Sequence, residues 1–171
     1  MTQGADDVSI GVRPALADEL RALMDGAATF EARFGRRVEP GYSGFDGVLE
    51  HSLDAITVGA VPVEWSTYLF YDTDEPGGAL IGIGGFKGAP QDGVVEIGYE
   101  IAPAFRGRGR ATAAAAALVE RARAAGCTSV LAHTLAEDNP STSVLTKLGF
   151  RRTATVDDPD EGPIWRWELS V

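Results

Sequence analysis

The chain has 171 residues, 44% hydrophobic and 23% charged, enough for one domain over residues 1–171 that closes a core without disulfide or metal staples. Its 15 Lys and Arg against 25 Asp and Glu leave a net charge of −10, which opposes binding to nucleic-acid phosphates, and no apolar run approaches the ~20 residues that span a bilayer. The single cysteine, Cys127, rules out an intrachain disulfide, and the opening ten residues lack a basic segment followed by an apolar one, so a cytoplasmic chain without a signal peptide is expected.

Val8–Val12 alternates like a short strand. From Pro14 onward, Leu16, Leu20 and Leu23 recur at the spacing of an amphipathic helix with proline in its first turn. Residues 35–47, rich in glycine and charge, read as a loop, and Leu49, Leu53 and Ile56 mark a second helical stripe that leaves His51 on the solvent side. The period then changes. Thr67–Tyr71, Ala79–Lys87 and Val94–Ala102 read as strands separated by Asp74-Glu75-Pro76-Gly77-Gly78 and Pro90-Gln91-Asp92-Gly93, an antiparallel meander. An alanine-rich helix follows from about Gly109 to Ala125, with Ala111, Ala115, Leu118 and Ala122 on its buried face, and Gly126 stops it. Cys127 reads as a small buried hydrophobe and Ser129–Thr134 as a strand. Strand, helix and strand make a crossover, so Val94–Ala102 and Ser129–Thr134 are expected to run parallel. A short helix, Pro140–Leu148, precedes a closing hairpin of Phe150–Val156 and Ile164–Leu169. His133 reads as a satisfied core histidine, and two histidines so far apart give no metal-site spacing.

The segment with most chemistry in it is Ile101-Ala102-Pro103-Ala104-Phe105-Arg106-Gly107-Arg108-Gly109-Arg110-Ala111-Thr112. A strand ends, a glycine- and arginine-rich loop turns, and a helix starts. The first N–H groups of a helix have no internal partner and carry the positive end of its dipole, and glycines let a bulky anion approach the backbone closely. That arrangement suits a pyrophosphate. A nucleotide P-loop would need Lys-Ser or Lys-Thr after the second glycine, and a dinucleotide fingerprint a third glycine where Thr112 stands. A glycine loop that merely caps a helix is the competing reading.

Arg106-Gly107-Arg108-Gly109-Arg110-Ala111 resembles the pyrophosphate motif of the GNAT N-acetyltransferase superfamily. Glu96–Pro103 resembles the strand before it, and Ala132-His133-Thr134 with Asn139–Phe150 the second half of that fold. The Leu-Thr-Lys-Leu-Gly-Phe ending is similar to the RimJ/RimL-like branch. The resemblance implies an α/β (α+β) GNAT fold: a mixed central sheet with an antiparallel N-terminal meander, a β-α-β crossover at the coenzyme A site and a C-terminal hairpin. It implies acetyl-CoA as cosubstrate, no metal, and a small-molecule amine or a peptide N-terminus as acceptor, in a monomer or homodimer. Ile101, Ala102 and Pro103 would run alongside the pantetheine arm where two parallel strands splay. Arg106, Gly107, Arg108, Gly109, Arg110 and Ala111 would wrap the pyrophosphate. Asn139 would reach the arm from the far side, cap the following helix, or do both; the branch often has an asparagine one residue earlier, where Asp138 stands.

The reaction so implied is attack of a neutral amine on the thioester. At pH 7.4, freeing a lysine amine of pKa ~10.4 costs about 4 kcal/mol, but an α-amine of pKa ~7.8 only ~0.5 kcal/mol. Glu96 and Glu100 share one strand face and are the candidate bases, with an arginine ion pair as the competing use of either. The tyrosine acid that many relatives place four residues before the Gly-Phe glycine is Leu145 here, so Ser141 becomes the candidate donor. Tyr42, Phe45, Trp65, Tyr68 and Phe86 are candidates for lining an acceptor pocket, or core. Trp165 and Trp167 read as packing residues. The negative surface would attract cationic amines or serve solubility alone. A non-catalytic acyl-CoA-binding module is the alternative function, and an RNA-binding reading of the arginine-glycine run fails on charge.

Overall fold

A computed structural model describes residues 8–74 and 76–171. Residues 1–7 of the opening segment, and Glu75 of the first meander turn, lie outside the described residues.

Strand β1 (Ile10–Pro14) leads into helices α1 (Ala17–Asp25), α2 (Ala27–Phe34) and α3 (Val48–Thr57). Strands β2 (Thr67–Asp72), β3 (Leu80–Phe86) and β4 (Val94–Ile101) follow, then α4 (Arg110–Ala124), β5 (Ser129–Leu135), α5 (Pro140–Lys147), β6 (Arg151–Asp158) and β7 (Gly162–Ser170). They form one seven-stranded sheet in the order β1-β2-β3-β4-β5-β7-β6. The meander β2-β3-β4 is antiparallel, β4 and β5 are parallel across α4, and β6 and β7 close as a hairpin. This is the expected mixed GNAT-type sheet.

Strand alternation sends side chains to two cores. Leu69, Tyr71, Leu80 and Ile83 meet Leu20, Leu23 and Phe30 under α1–α3. Tyr68, Phe70, Val95, Ile97 and Ile101 meet Ala114, Ala115 and Leu118 of α4 and Leu145 of α5 on the other face. Small alanines on α4 let that helix sit close to the sheet. Its buried face includes Ala114 and Val119 as well as the expected Ala115, Leu118 and Ala122, whereas Ala111 is only partly buried.

Two readings of the N-terminal third change. Pro14 ends β1 instead of opening a helix: β1 is an edge strand, where a missing N–H costs little, and α1 begins at Ala17 after Leu16, which is 56% exposed. The Glu19 carboxylate, rather than proline, organises the helix start, accepting from the Leu16 N–H at 3.0 Å and pairing with Arg13 at 2.5 Å. Helix α2, whose sequence shows no apolar stripe, has Phe30 as its buried residue. Cys127 is buried just ahead of β5, and burial pushes its thiol pKa up. That environment suits a hydrophobe, not a nucleophile.

Candidate active site

Strands β4 and β5 pair only from Val94↔Ser129 to Glu96↔Leu131. Beyond that point β4 is bonded to β3 and β5 to β7, so the two inner strands have no ladder between them over their C-terminal halves. A cleft of about 440 Å³ opens there, lined by Tyr99, Glu100 and Ile101 of β4, by Arg106, Gly107, Gly109, Arg110, Ala111 and Thr112, and by Pro140, Ser141, Ser143, Val144 and Lys147 of α5.

The loop forms one end of this cleft. Gly107 and Gly109 have φ of 74° and 75°, a left-handed conformation that a Cβ disfavours. Gly109 is the N-cap of α4 and supplies no side-chain cap. The first-turn N–H groups, which have no intrahelical acceptor in any helix, therefore lack a side-chain cap as well, and Arg110, Ala111 and Thr112 stand at the cleft wall, as an anion site requires. The residues present fit a pyrophosphate by backbone donors.

The three loop arginines have different fates. Arg106 donates from Nε to the Ile101 carbonyl at 2.8 Å and approaches Glu100 at 3.8 Å. The Arg110 side chain is only 6% exposed and bonds Asp72 at 3.1 Å and Asp74 at 2.8 Å, tying the start of α4 to the end of β2. Its guanidinium is committed to those carboxylates, and only its position in the helix turn serves the cradle. Arg108 is exposed and outside the cleft wall.

Ile101 lines the cleft, but Ala102 and Pro103 do not. Ala102 is buried and donates its N–H to Ile81 at 2.7 Å, and Pro103 begins a short 3-10 turn. Asn139 is the N-cap of α5: its Oδ1 accepts from the Thr142 N–H at 3.0 Å, and the Asn139 N–H donates to Thr142 Oγ1 at 3.0 Å. Of its two readings, the structure displays the cap, and Asn139 is not in the cleft wall.

Leu145 is fully buried, so α5 offers no phenol at that position. A phenol comes instead from the facing strand. Tyr99 Oη lies 3.2 Å from Ser141 Oγ and donates to the Ser141 carbonyl at 3.3 Å. Burial, partly offset by the Ser141 hydrogen bond, pushes the Tyr99 pKa up to about 12. Tyr99 carries no local signal of this role in the sequence, because it stands on β4 and not on the helix where relatives place the phenol. Lys147 carries none either, although it stands one turn beyond Ser143 on the same helix face.

The two candidate carboxylates sit in different places. Glu100 lines the cleft and accepts from the Gly44 N–H at 2.7 Å, holding the 35–47 loop against β4. Glu96 does not line it. Its Oε1 is 2.6 Å from Lys87 Nζ and 2.9 Å from His133 Nδ1. Burial pushes the Glu96 pKa up, but hydrogen bonds from Lys87 and His133 outweigh it and hold the carboxyl below its ordinary value. His133 is therefore not a core histidine but a half-buried member of an ion-paired cluster.

On the α3 side of the sheet a second cavity, about 320 Å³, is lined by Phe45, Val48, His51, Thr67, Ile83, Gly85, Phe86, Lys87 and Gly98 among others. A third, also about 320 Å³, is lined by Phe45, Lys87, His133, Thr134, Leu135, Ile164 and the carboxylates Asp158, Asp160 and Glu161. The two share Phe45 and Lys87. Of the five candidate pocket aromatics, Phe45 and Phe86 reach these cavities. Trp65 and Tyr68 pack on Phe86 at 4.9 and 5.7 Å, and Tyr42 packs against the α1–α3 core. His51, although exposed, faces the second cavity. Trp167 is buried with its Nε1 donating to Thr134 Oγ1 at 3.0 Å, and Trp165 lies 6.3 Å from it, ring to ring.

The splayed β4–β5 pair with an uncapped helix start beside it is the arrangement that the GNAT resemblance implies. The family model for the acetyltransferase (GNAT) domain matches residues 49–151, and the chain belongs to that family. A search of curated protein sequences finds no match. Among solved structures, RimJ of Mycobacterium smegmatis in complex with CoA-disulfide is similar at a TM-score of 0.63 and 16% identity, covering 94% of this chain and 81% of that one. RimL, a ribosomal L7/L12 alpha-N-protein acetyltransferase solved without ligand, is similar at 0.67 and 14% identity over 96% and 92%. A chain of the NatC complex bound to Gag peptide and CoA is similar at 0.64 and 17% identity over 95% and 99%. At these identities the likeness is one of fold.

Proposed function

We propose that this acetyltransferase-family protein transfers the acetyl group of acetyl-CoA directly to a primary amine, either a protein N-terminal α-amine or a small amine, as a member of the RimJ/RimL-like branch. The observation that carries this reading is the adjacency of two cavities along β4: Tyr99 and Glu100 line the cleft at the α4 N-terminus, and Gly98, the preceding residue, lines the cavity on the α3 face. A donor on one side and an acceptor on the other would meet at the splay without a covalent enzyme intermediate. The likeness to RimL, an alpha-N-protein acetyltransferase, and to a chain of the peptide-bound NatC complex, together with the Lys147-Leu148-Gly149-Phe150 ending, supports an α-amine or small amine over a histone-type lysine.

In this reading the first-turn N–H groups of α4 bind the pyrophosphate and Ile101 borders the pantetheine arm. The Tyr99–Ser141 hydroxyl pair supplies a proton to the departing thiolate. With its pKa at about 12, Tyr99 keeps that proton at neutral pH. A thiolate of ordinary pKa ~8.5 needs only modest help to leave. The buried Leu145 in place of an α5 tyrosine favours the alternative, a non-catalytic acyl-CoA-binding module. One experiment separates them. Acetyl-CoA at a hundred times its dissociation constant should stabilise the fold by about 2.7 kcal/mol in a melting scan, and coenzyme A thiol should appear when a panel of peptides and small amines is added. Stabilisation without thiol release selects the binding module. Neither response at millimolar acetyl-CoA overturns both.

A further inference from the structure

We propose that His133 is the proton acceptor for the incoming ammonium and that Glu96 is its positioning residue, an assignment that rests on the acetyl-transfer reading above. Glu96 and Leu131 are the last paired residues before β4 and β5 diverge. His133 stands two residues further along β5, on the same strand face as Leu131, at the mouth of the splay. Its Nδ1 is 2.9 Å from Glu96 Oε1. The Lys87 and His133 contacts hold Glu96 ionised, and a carboxylate can only accept. Nδ1 must therefore be the donor, which leaves the lone pair of the neutral ring on Nε2. His133 lines the third cavity together with Asp158, Asp160 and Glu161, carboxylates that favour a cationic guest, and that cavity shares Phe45 and Lys87 with the α3-side cavity assigned above to the acceptor. Glu96 itself is ill suited as the base because its contacts with Lys87 and His133 hold the carboxyl below its ordinary value and it lines none of the three cavities.

The step balances simply. The ammonium N–H bond breaks, its electron pair stays on nitrogen, and Nε2 takes the proton. The neutral amine then forms the C–N bond as the C–S bond breaks, with the sulfur pair leaving on the thiolate. The Tyr99–Ser141 pair protonates that thiolate and is itself reprotonated by the second amine proton, and His133 returns its own proton to solvent. The charged groups facing His133 are Glu96 from β4, Lys87 after β3, Asp158, Asp160 and Glu161 from the β6–β7 hairpin, and Arg166, its register partner on β7.

The test is the pH dependence of kcat/KM for peptide acceptors, with acceptors of different amine pKa separating the enzyme's acidic limb from the amine's own. With only two histidines in the chain, proton NMR follows His133 directly against His51. Wild-type enzyme should show a limb whose midpoint matches the His133 titration. His133→Gln should lose that limb and roughly 10²-fold or more in rate at neutral pH, with coenzyme A affinity unchanged. Glu96→Gln should move both the limb and the NMR midpoint to lower pH, and Lys87→Met should move both to higher pH, since one removes an anion beside the imidazole and the other a cation. A purely structural cluster would not give opposite displacements. These two variants also carry the test if His133→Gln fails to fold. A wild type that turns over while His133→Gln keeps its rate and limb, or limbs that stay fixed in the other two, overturns the dyad alone. No thiol release from wild type with any amine overturns the function and the dyad together.

Discussion

Three glycines on neighbouring strands should respond to a side chain in opposite ways, and the difference can be worked from their surroundings. A Cβ on Gly98 would meet no atom within 4 Å and would project into the cavity of about 320 Å³ on the α3 face. A Cβ on Gly84 would lie 2.4 Å from the Gly98 carbonyl oxygen, and one on Gly85, where φ is 134°, 2.2 Å from the Ser66 carbonyl oxygen. Glycine weakens a strand by roughly 0.5–1 kcal/mol relative to alanine. Gly98→Val should therefore raise stability by about that amount, or ~1–4 °C in Tm for a domain of this size, while obstructing the cavity. Gly85→Ala adds overpacking to a disfavoured φ and should cost about 3 kcal/mol or more. Melting scans of the variants, with steady-state kinetics on the Gly98→Val protein, make the comparison. The amine KM of Gly98→Val should rise at least tenfold, ~1.4 kcal/mol, with the acetyl-CoA KM within about twofold of wild type, since Gly98 does not line the donor cleft. An unchanged amine KM in a folded Gly98→Val protein would show that the α3-side cavity does not take the acceptor. A loss of stability of more than about 1 kcal/mol would show that this face of β4 is packed and not open.

Arg110→Met should destabilise the protein by about 3–5 kcal/mol in chemical denaturation, because it leaves Asp72 buried without its cation; Arg108→Ala should stay within about 0.5 kcal/mol. Tyr99→Phe should lower kcat roughly tenfold or more with little change in the acetyl-CoA KM, and Ser141→Ala should do the same if the two hydroxyls act together. Because Glu96 has a depressed folded pKa, the stability it contributes is present above the ordinary carboxylate value of 4.5 and is lost as pH falls through the lower folded value. The stability gap between wild type and Glu96→Gln, followed by denaturant titration from pH 7 to pH 3, should therefore close at the acid end.

Legibility in the sequence follows from how local each feature is. The meander and α4 are readable because hydrophobic pattern and punctuation coincide: β2 and β3 are near-continuous apolar runs and β4 a partly alternating one, each set between turn-forming segments, and Gly126, with φ of 82°, ends the alanine helix where its stripe ends. Helix α2 escaped because eight residues with Phe30 alone fully buried make no stripe. Pro14 misled because a fixed φ suits a helix's first turn and an edge strand equally.

The same distinction sorts the site. The cradle works through backbone atoms of a contiguous run, so the glycines that shape it and the helix that polarises it stand next to one another in sequence. Side-chain chemistry depends instead on register. Tyr99 meets Ser141 across 42 residues and Glu96 meets His133 across 37. Neither pair carries a spacing rule, because each depends on where β5 and α5 settle against β4. The arginines give the clearest case. Arg106, Arg108 and Arg110 look equivalent in the loop, yet a long flexible guanidinium finds its partner only after distant strands arrive. The end of β2 brings Asp72 and Asp74 to Arg110, and the end of β4 brings the Ile101 carbonyl to Arg106. A net positive loop in the sequence thus becomes, in the fold, one buried anchor, one strand-end clamp and one exposed charge. Recognition of a pyrophosphate then falls to the N–H groups that those two anchored arginines hold in place.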